Sequence, residues 1–168
     1  TIFNRVTCAA ACNAAATLAA SPTSCSNARL PGTASWICGA PGAGARHFKF
    51  SADGRRGYVI NEMGGSVTAF DYNAATGALT PFQTISTLPP DFSGLKWNAE
   101  VRVHPNGKFL YASNRTHDSI AVFAIDARGA LTLVEIVPSG AKTPRNFALS
   151  PDGRWLVCGH QEIGRAHV

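Results

Sequence analysis

The residues of this chain best equipped for chemistry stand in matched places. Arg46 and His47 come just before the apolar run "FKF", and Glu62 follows Asn61 at the end of "GYVIN". Arg115 follows Asn114 at the end of "FLYASN" in the same way, Glu100 and Arg102 accompany "VRV", and Arg145 precedes "FAL". A carboxylate and an imidazole can move protons, and guanidiniums hold anions through a planar fork of donors. Each group also has a plainer reading as charged surface. Arg55, Arg56, Lys108 and Arg154 follow glycine turns and read as solvated hairpin charges. Asn61 and Asn114 read as strand-end caps, because Asn side chains satisfy local backbone groups. His104, before Pro105, reads as a turn residue, and His117 with Asp118 fits either a turn or a site.

The elements that would position these groups are strands. "HFKFS" and "GYVIN" flank "SADGRR", and "VTAFDY" and "LTPFQTIS" flank "NAATGA", each a short run rich in β-branched or aromatic residues. Asp53-Gly54, Asn106-Gly107 and Asp152-Gly153 carry the chemistry of two-residue hairpin turns, whose central positions take positive φ. The three turns lie 53 and then 46 residues apart, a period that suits a four-stranded blade. The longer interval contains "STLPPDFSGLKWN", Ser86 to Asn98, a grown loop between successive units. After the second turn, "FLYASN", "SIAVFAID" and "LTLVEIVPS" repeat the strand order, and the third unit stops after its second strand.

A chain of 168 residues with 45% hydrophobic and 15% charged residues is globular in composition. Its formal charge of +5 comes without a basic run interleaved with aromatics, which argues against nucleic acid as a partner. No stretch has the length of a membrane-spanning helix. The five cysteines (Cys8, Cys12, Cys25, Cys38, Cys158) match neither a zinc pattern nor a CxxC pair, and Cys158 in "WLVCG" reads as a small buried thiol. Residues 1 to 45 hold only Arg5 and Arg29 as charges and show no sustained period. Asn13 and Thr17 interrupt their Ala-rich run, so they read as a disordered extension or misframed text rather than a secretory signal. Residues 46 to 161 form the β domain, and residues 162 to 168, "EIGRAHV", read as a non-native tail.

Over residues 41 to 161 the text "GARHFKF…GYVINE…VTAFDY…GALTPFQTISTLPPDF", "AEVRVHPNGKFLYASNR…SIAVF" and "TPRNFALSPDGRWL" resembles the lactonase family of seven-bladed β-propellers. That family includes propeller-type 6-phosphogluconolactonases and the fungal carboxymuconate cyclases. The resemblance implies an all-β fold, here a β-propeller fragment of about two and a half four-stranded antiparallel blades from a parent of roughly 300 to 350 residues. It implies hydrolysis of a sugar-acid lactone, 6-phosphogluconolactone to 6-phosphogluconate, in the oxidative pentose phosphate route. Glu62 would be the base, Arg46 the oxyanion- or carboxylate-binding group, and His47 a reserve base. Arg115 and Arg145, with Arg102, would bind the substrate and its anionic substituent. It further implies a cytoplasmic home, a small lactone as partner, and neither metal nor cofactor. The chain alone is expected to be inactive and, with strand edges unpaired, prone to aggregate. Three alternatives stand beside this: a non-catalytic binding propeller with YVTN-type repeats, a carboxymuconate cyclase, and a calcium-dependent lactonase using oxygens of Glu62, Glu100 and Asn114.

Overall fold

The computed structural model describes residues 40–162, and among them every regular element is a β-strand. The first four strands, β1 (Ala45–Phe50), β2 (Arg56–Asn61), β3 (Ser66–Asn73) and β4 (Ala78–Ser86), form one antiparallel sheet in chain order. A second sheet repeats this with β5 (Asn98–Val103), β6 (Phe109–Asn114), β7 (Ser119–Ile125) and β8 (Leu131–Pro138). A two-stranded third sheet pairs β9 (Lys142–Leu149) with β10 (Leu156–Glu162). The sheets are two complete propeller blades and half of a third. β1 begins at Ala45, and Glu62 and Met63 donate their N–H groups to the carbonyls of Gly44 and Ala43. β10 runs through Glu162, which pairs with Lys142. Residues 1–39 and 163–168, with Cys8, Cys12, Cys25 and Cys38, lie outside the described residues.

Alternation in the middle strands builds the core. Tyr58, Ile60, Val67 and Ala69 of the first blade meet Val101, Leu110, Ala112, Ala121, Phe123 and Leu131 of the second, all buried. The first strands of the blades stand side by side, β1 against β5 and β5 against β9, around the propeller axis. On the outer side, Gln83 acts as a surrogate strand: its amide N–H donates to the Leu131 carbonyl (2.8 Å), and its carbonyl accepts from the Leu131 N–H (2.7 Å).

The hairpin turns differ from the two-residue form. Gly54, Gly107 and Gly153 have positive φ, but Asp53, Asn106 and Asp152 do not. Ser51 and Arg56 close the first loop (2.9 Å), with Gly54 N–H donating to Ser51 O inside it. Asp53 Oδ1 accepts from both Ser51 Oγ and the Arg55 N–H, and Asp152 repeats this with Ser150 and Arg154. Side-chain oxygens that satisfy the turn's own amides make the longer loop the favourable one.

Arg56 is not a solvated hairpin charge. It pairs with Asp71 (2.9 Å), and its Nε donates to the Arg128 carbonyl of the next blade (2.7 Å). Its stem lies on Gly129, where a Cβ would stand 2.6 Å from Arg56 Cγ and where φ is +84°. Tyr58 reinforces this junction, its hydroxyl donating to the Gly129 carbonyl (3.0 Å). Cys158 is half-buried rather than buried, and partial burial pushes its thiol up.

Candidate active site

Three β-bulges aim the charged residues. β1 slips register between Ala45 and Phe48, and β5 slips between Asn98 and Val101. In each, three steps on the inner strand face two on its partner, so one extra residue is inserted: Arg46-His47 in the first blade, Ala99-Glu100 in the second. β9 does the same at Arg145, with Pro144 opposite His160 and Asn146 opposite Gly159. A bulge bends the strand and redirects side chains, which is why bulges gather beside active sites.

The bulges make neighbours of positions that are equivalent in the repeat. Glu62 is bonded by Arg115, its counterpart 53 residues on, and its other oxygen lies 3.5 Å from Arg46 Nε. Arg46 Nη1 also donates to the carbonyl of Ala99, its own counterpart (2.6 Å). His47 faces Glu100 on the same offset, Nδ1 to Oε1 at 3.1 Å, and Arg102 Nη2 holds the second Glu100 oxygen at 3.2 Å. In the third blade, Arg145 and Gln161 occupy the places of Arg46 and Glu62, and Arg145 Nη1 donates to the Gln161 amide oxygen (3.2 Å).

Burial divides the two carboxylates. The Glu100 side chain is 2% exposed and Glu62 33%. The Val101 N–H donates to Glu100 Oε1 (3.0 Å), so backbone, imidazole and guanidinium together offset the cost of desolvating that charge. Arg115, 11% exposed, lies with its guanidinium 5.6 Å from the ring centre of Trp97. That ring comes from the long inserted loop, which is pinned by the Arg115 N–H to the Trp97 carbonyl (2.8 Å) and by Phe92 edge-on to His117 (5.2 Å). The Arg46 guanidinium sits below its ordinary pKa, first through burial and further through the cations Arg115 and Arg145, against Glu62 and Glu100. Four arginines face two carboxylates, so the cluster carries positive charge that an anion can neutralise.

The six residues to which the family resemblance assigns catalytic or substrate-binding roles come together here, in unequal states. Arg46, His47 and Glu62 meet at the junction of the first two blades. Arg102 and Arg115 are engaged with Glu100 and Glu62, whereas Arg145 is exposed and bound only to a neutral amide among the contacts described. Asp118 sets the approach to Arg145: its carboxylate accepts from the Thr143 N–H (2.7 Å), holding that β-branched residue at φ +58°. Sequence reasoning gave Glu100 no catalytic part, although a glutamate inside the strand "NAEVRV", one blade on from His47, was the available signal. Asn61 and Asn114 are buried; Asn61 donates locally, to Ser66 and Thr68, and Asn114 donates to Ser119 and, across 27 residues, to the Thr87 carbonyl of the inserted loop. A shallow hollow lined by Pro41, Asn61, Ser66, Thr68 and Thr84 contains none of the charged residues.

Comparison with known proteins identifies the fold's family. The family model described as "Lactonase, 7-bladed beta-propeller" matches residues 30–168. The 6-phosphogluconolactonase of Bacillus subtilis is 37% identical over 126 residues, 74% of this chain and 36% of that protein. A periplasmic gluconolactonase of Pseudomonas aeruginosa superposes with a TM-score of 0.71 at 35% identity, covering 76% of this chain and 35% of the other. A putative 6-phosphogluconolactonase of Bacteroides fragilis gives 0.68 at 38% identity, with 74% and 34% covered. The chain thus spans about a third of the length of these relatives. With its matched blades and bulged inner strands, the chain belongs to the lactonase family of seven-bladed β-propellers.

Proposed function

We propose that the full-length protein carrying this chain hydrolyses a phosphorylated sugar-acid lactone, 6-phosphogluconolactone to 6-phosphogluconate. The observation that carries this reading is the excess of guanidinium over carboxylate where the bulged strands meet. Opening a lactone needs a base to take a proton from water and a cation at the carbonyl oxygen as it gains charge. Arg46, part-buried and already hydrogen-bonded to the Ala99 carbonyl, is the oxyanion group. Arg145, with no carboxylate partner described, holds the phosphate, with Arg115 and Arg102 completing the positive wall. Two groups in the cleft can serve as base, Glu62 and His47.

The calcium reading loses support because the oxygens of Glu62 and Glu100 are taken by Arg46, Arg115, His47, Arg102 and a backbone N–H. A phosphorylated substrate, too highly charged to cross a lipid core unaided, supports the cytoplasmic home. Produced alone, the 168-residue chain should be inactive and self-associate, because Trp155, just before β10, and Val157 within it are 67% and 71% exposed beside an open edge.

The test is lactone opening by the full-length protein with 6-phosphogluconolactone and with unphosphorylated gluconolactone. The phosphorylated substrate should be preferred at least ~10-fold in kcat/KM, as expected when one charge-assisted contact is lost. Arg46→Ala should lower kcat by ~10²-fold or more. Equal rates on the two lactones would reassign the substrate to the neutral sugar, and no opening of either would remove the lactonase reading.

A further inference from the structure

Resting on the lactonase reading of this cleft, we propose that His47 is the general base and that Glu100 is its positioning residue. The pair sits across the blade junction, carboxylate behind and imidazole in front. Glu100 is almost fully buried, whereas the His47 side chain is 34% exposed. His47 Nδ1 is the buried nitrogen, 3.1 Å from Glu100 Oε1 but off the angle of a full hydrogen bond. The ring torsion is soft, and a small rotation aligns an Nδ1–H with that oxygen. Nε2 lies on the Arg46 side, 3.3 Å from Nη1. A guanidinium nitrogen can only donate, so Nε2 there presents its lone pair and Nδ1 carries the proton. One tautomer satisfies both contacts.

Glu100 is itself fixed more firmly than any other charged group in the cluster. Its N–H donates to Ser113 Oγ (3.0 Å), and its oxygens take the Val101 N–H and Arg102 Nη2. Such a carboxylate holds an imidazole's orientation and stabilises it as it gains a proton, the logic of a base oriented by a third group. Glu62 lacks that freedom to act, because its oxygens face Arg46 and Arg115 and form part of the lock between blades.

The step balances without a further reactant. Water takes the place of the long Nε2 to Arg46 contact and gives a proton to Nε2 as its oxygen bonds to the lactone carbonyl carbon. The carbonyl electron pair moves to the oxygen beside Arg46. Collapse of that adduct breaks the ring C–O bond, and the departing ring oxygen takes the proton from Nε2, leaving the hydroxy acid and neutral His47.

The test uses the full-length protein. In the unaltered protein, nitrogen-15 shifts of the His47 ring should report a protonated Nδ1 and a bare Nε2. Glu100→Gln should mix the tautomers and lower kcat by ~10-fold or more while KM changes less than ~3-fold. His47→Ala should lower kcat by ~10²-fold, and added imidazole should restore part of it, a response that a merely structural histidine would not give. Glu100→Asp, which keeps the charge, should retain more activity than Glu100→Gln and guards against misfolding as the cause. An active wild type whose His47→Ala variant keeps its kcat, or gains nothing from imidazole while Glu62→Gln is dead, overturns the assignment. A wild type that opens no lactone instead overturns the lactonase reading. The ring spectrum is then read independently, and a proton on Nε2 refutes the pairing with Glu100.

Discussion

The two ends of the junction between the first and second blades are held by different chemistry. At the cleft end, equivalent positions of the repeat carry unlike groups that bond to each other: Glu62 to Arg115, His47 to Glu100, and Arg46 to the Ala99 carbonyl. At the tip end, the blades are joined mainly by donors reaching backbone carbonyls, Tyr58 to Gly129 and Arg56 to Arg128. A repeat copied without change would set like charges against like charges at the cleft. Unlike residues at matched positions therefore supply the interblade bonds at the end where the site is proposed, while the tip end is joined through backbone carbonyls. Changes at the cleft should cost activity before stability, and changes at the tip should do the reverse.

Exchanging Glu62 and Arg115 tests that division with the largest effect. Glu62→Arg alone places another cation beside Arg46 and Arg115. It should lower kcat/KM by ~10²-fold or more and destabilise by ~1–3 kcal/mol, discounted because Glu62 is partly exposed. The double exchange Glu62→Arg with Arg115→Glu restores an ion pair one blade over, so most of the stability should return. Activity should not, because Arg46 then faces an arginine where its carboxylate was. Thermal unfolding and turnover of the single and double variants, run as a cycle, separate the two quantities. Recovery of both together would mean that the two ends do not differ in kind.

The blade order could be read because each strand announces itself locally through β-branched and aromatic runs between glycine turns, as "GYVIN" and "FLYASN" do. The charged residues could be picked out because they flank those runs. Their partners could not. Arg56 follows a turn and looks solvated, yet the carbonyl it bonds is 72 residues away, at the tip of the next blade. The bulges at 46–47, 99–100 and 145 depend on register between strands, which a single strand's sequence does not display. The turn motifs suggested tight two-residue loops because Asp-Gly suits them; the serines before Asp53 and Asp152, which tip the balance to the longer loop, were in plain view.

Tyr58 probes the tip end with a middle-sized effect. Burial pushes its hydroxyl up to about 12. The folded value lies above the ordinary value near 10, so the folded state keeps its proton where the unfolded chain has lost it. The stabilisation is complete below about pH 10 and is lost as pH rises toward 12, amounting to about 3 kcal/mol. Tyr58→Phe should cost ~1–2 kcal/mol at neutral pH by leaving the Gly129 carbonyl without its donor. That deficit should narrow between pH 10 and 12, with kcat changed less than ~2-fold. Urea midpoints at pH 7 and pH 11 measure both, and a deficit independent of pH would show that the hydroxyl is not buried as described.

The smallest effect belongs to the hairpin turns, where the repeat supplies its own control. Asp53 and Asp152 are held below the ordinary carboxylate value, first by the Ser51 and Ser150 hydroxyls and then by the Arg55 and Arg154 amides. Their contribution is present above pH 4 and fades as pH falls through the lowered folded-state value. Asn106 holds the matched turn through the Lys108 N–H (2.9 Å) with an uncharged amide. Asp53→Ala should therefore lower Tm by ~1–2 °C at neutral pH and by progressively less in acid, whereas Asn106→Ala should lower it by a similar amount at every pH. Thermal scans of the two variants between pH 3 and 7 compare the turns directly. Parallel curves would mean that the Asp53 carboxylate contributes its shape and not its charge, making the Asp and Asn turns equivalent despite that difference in charge.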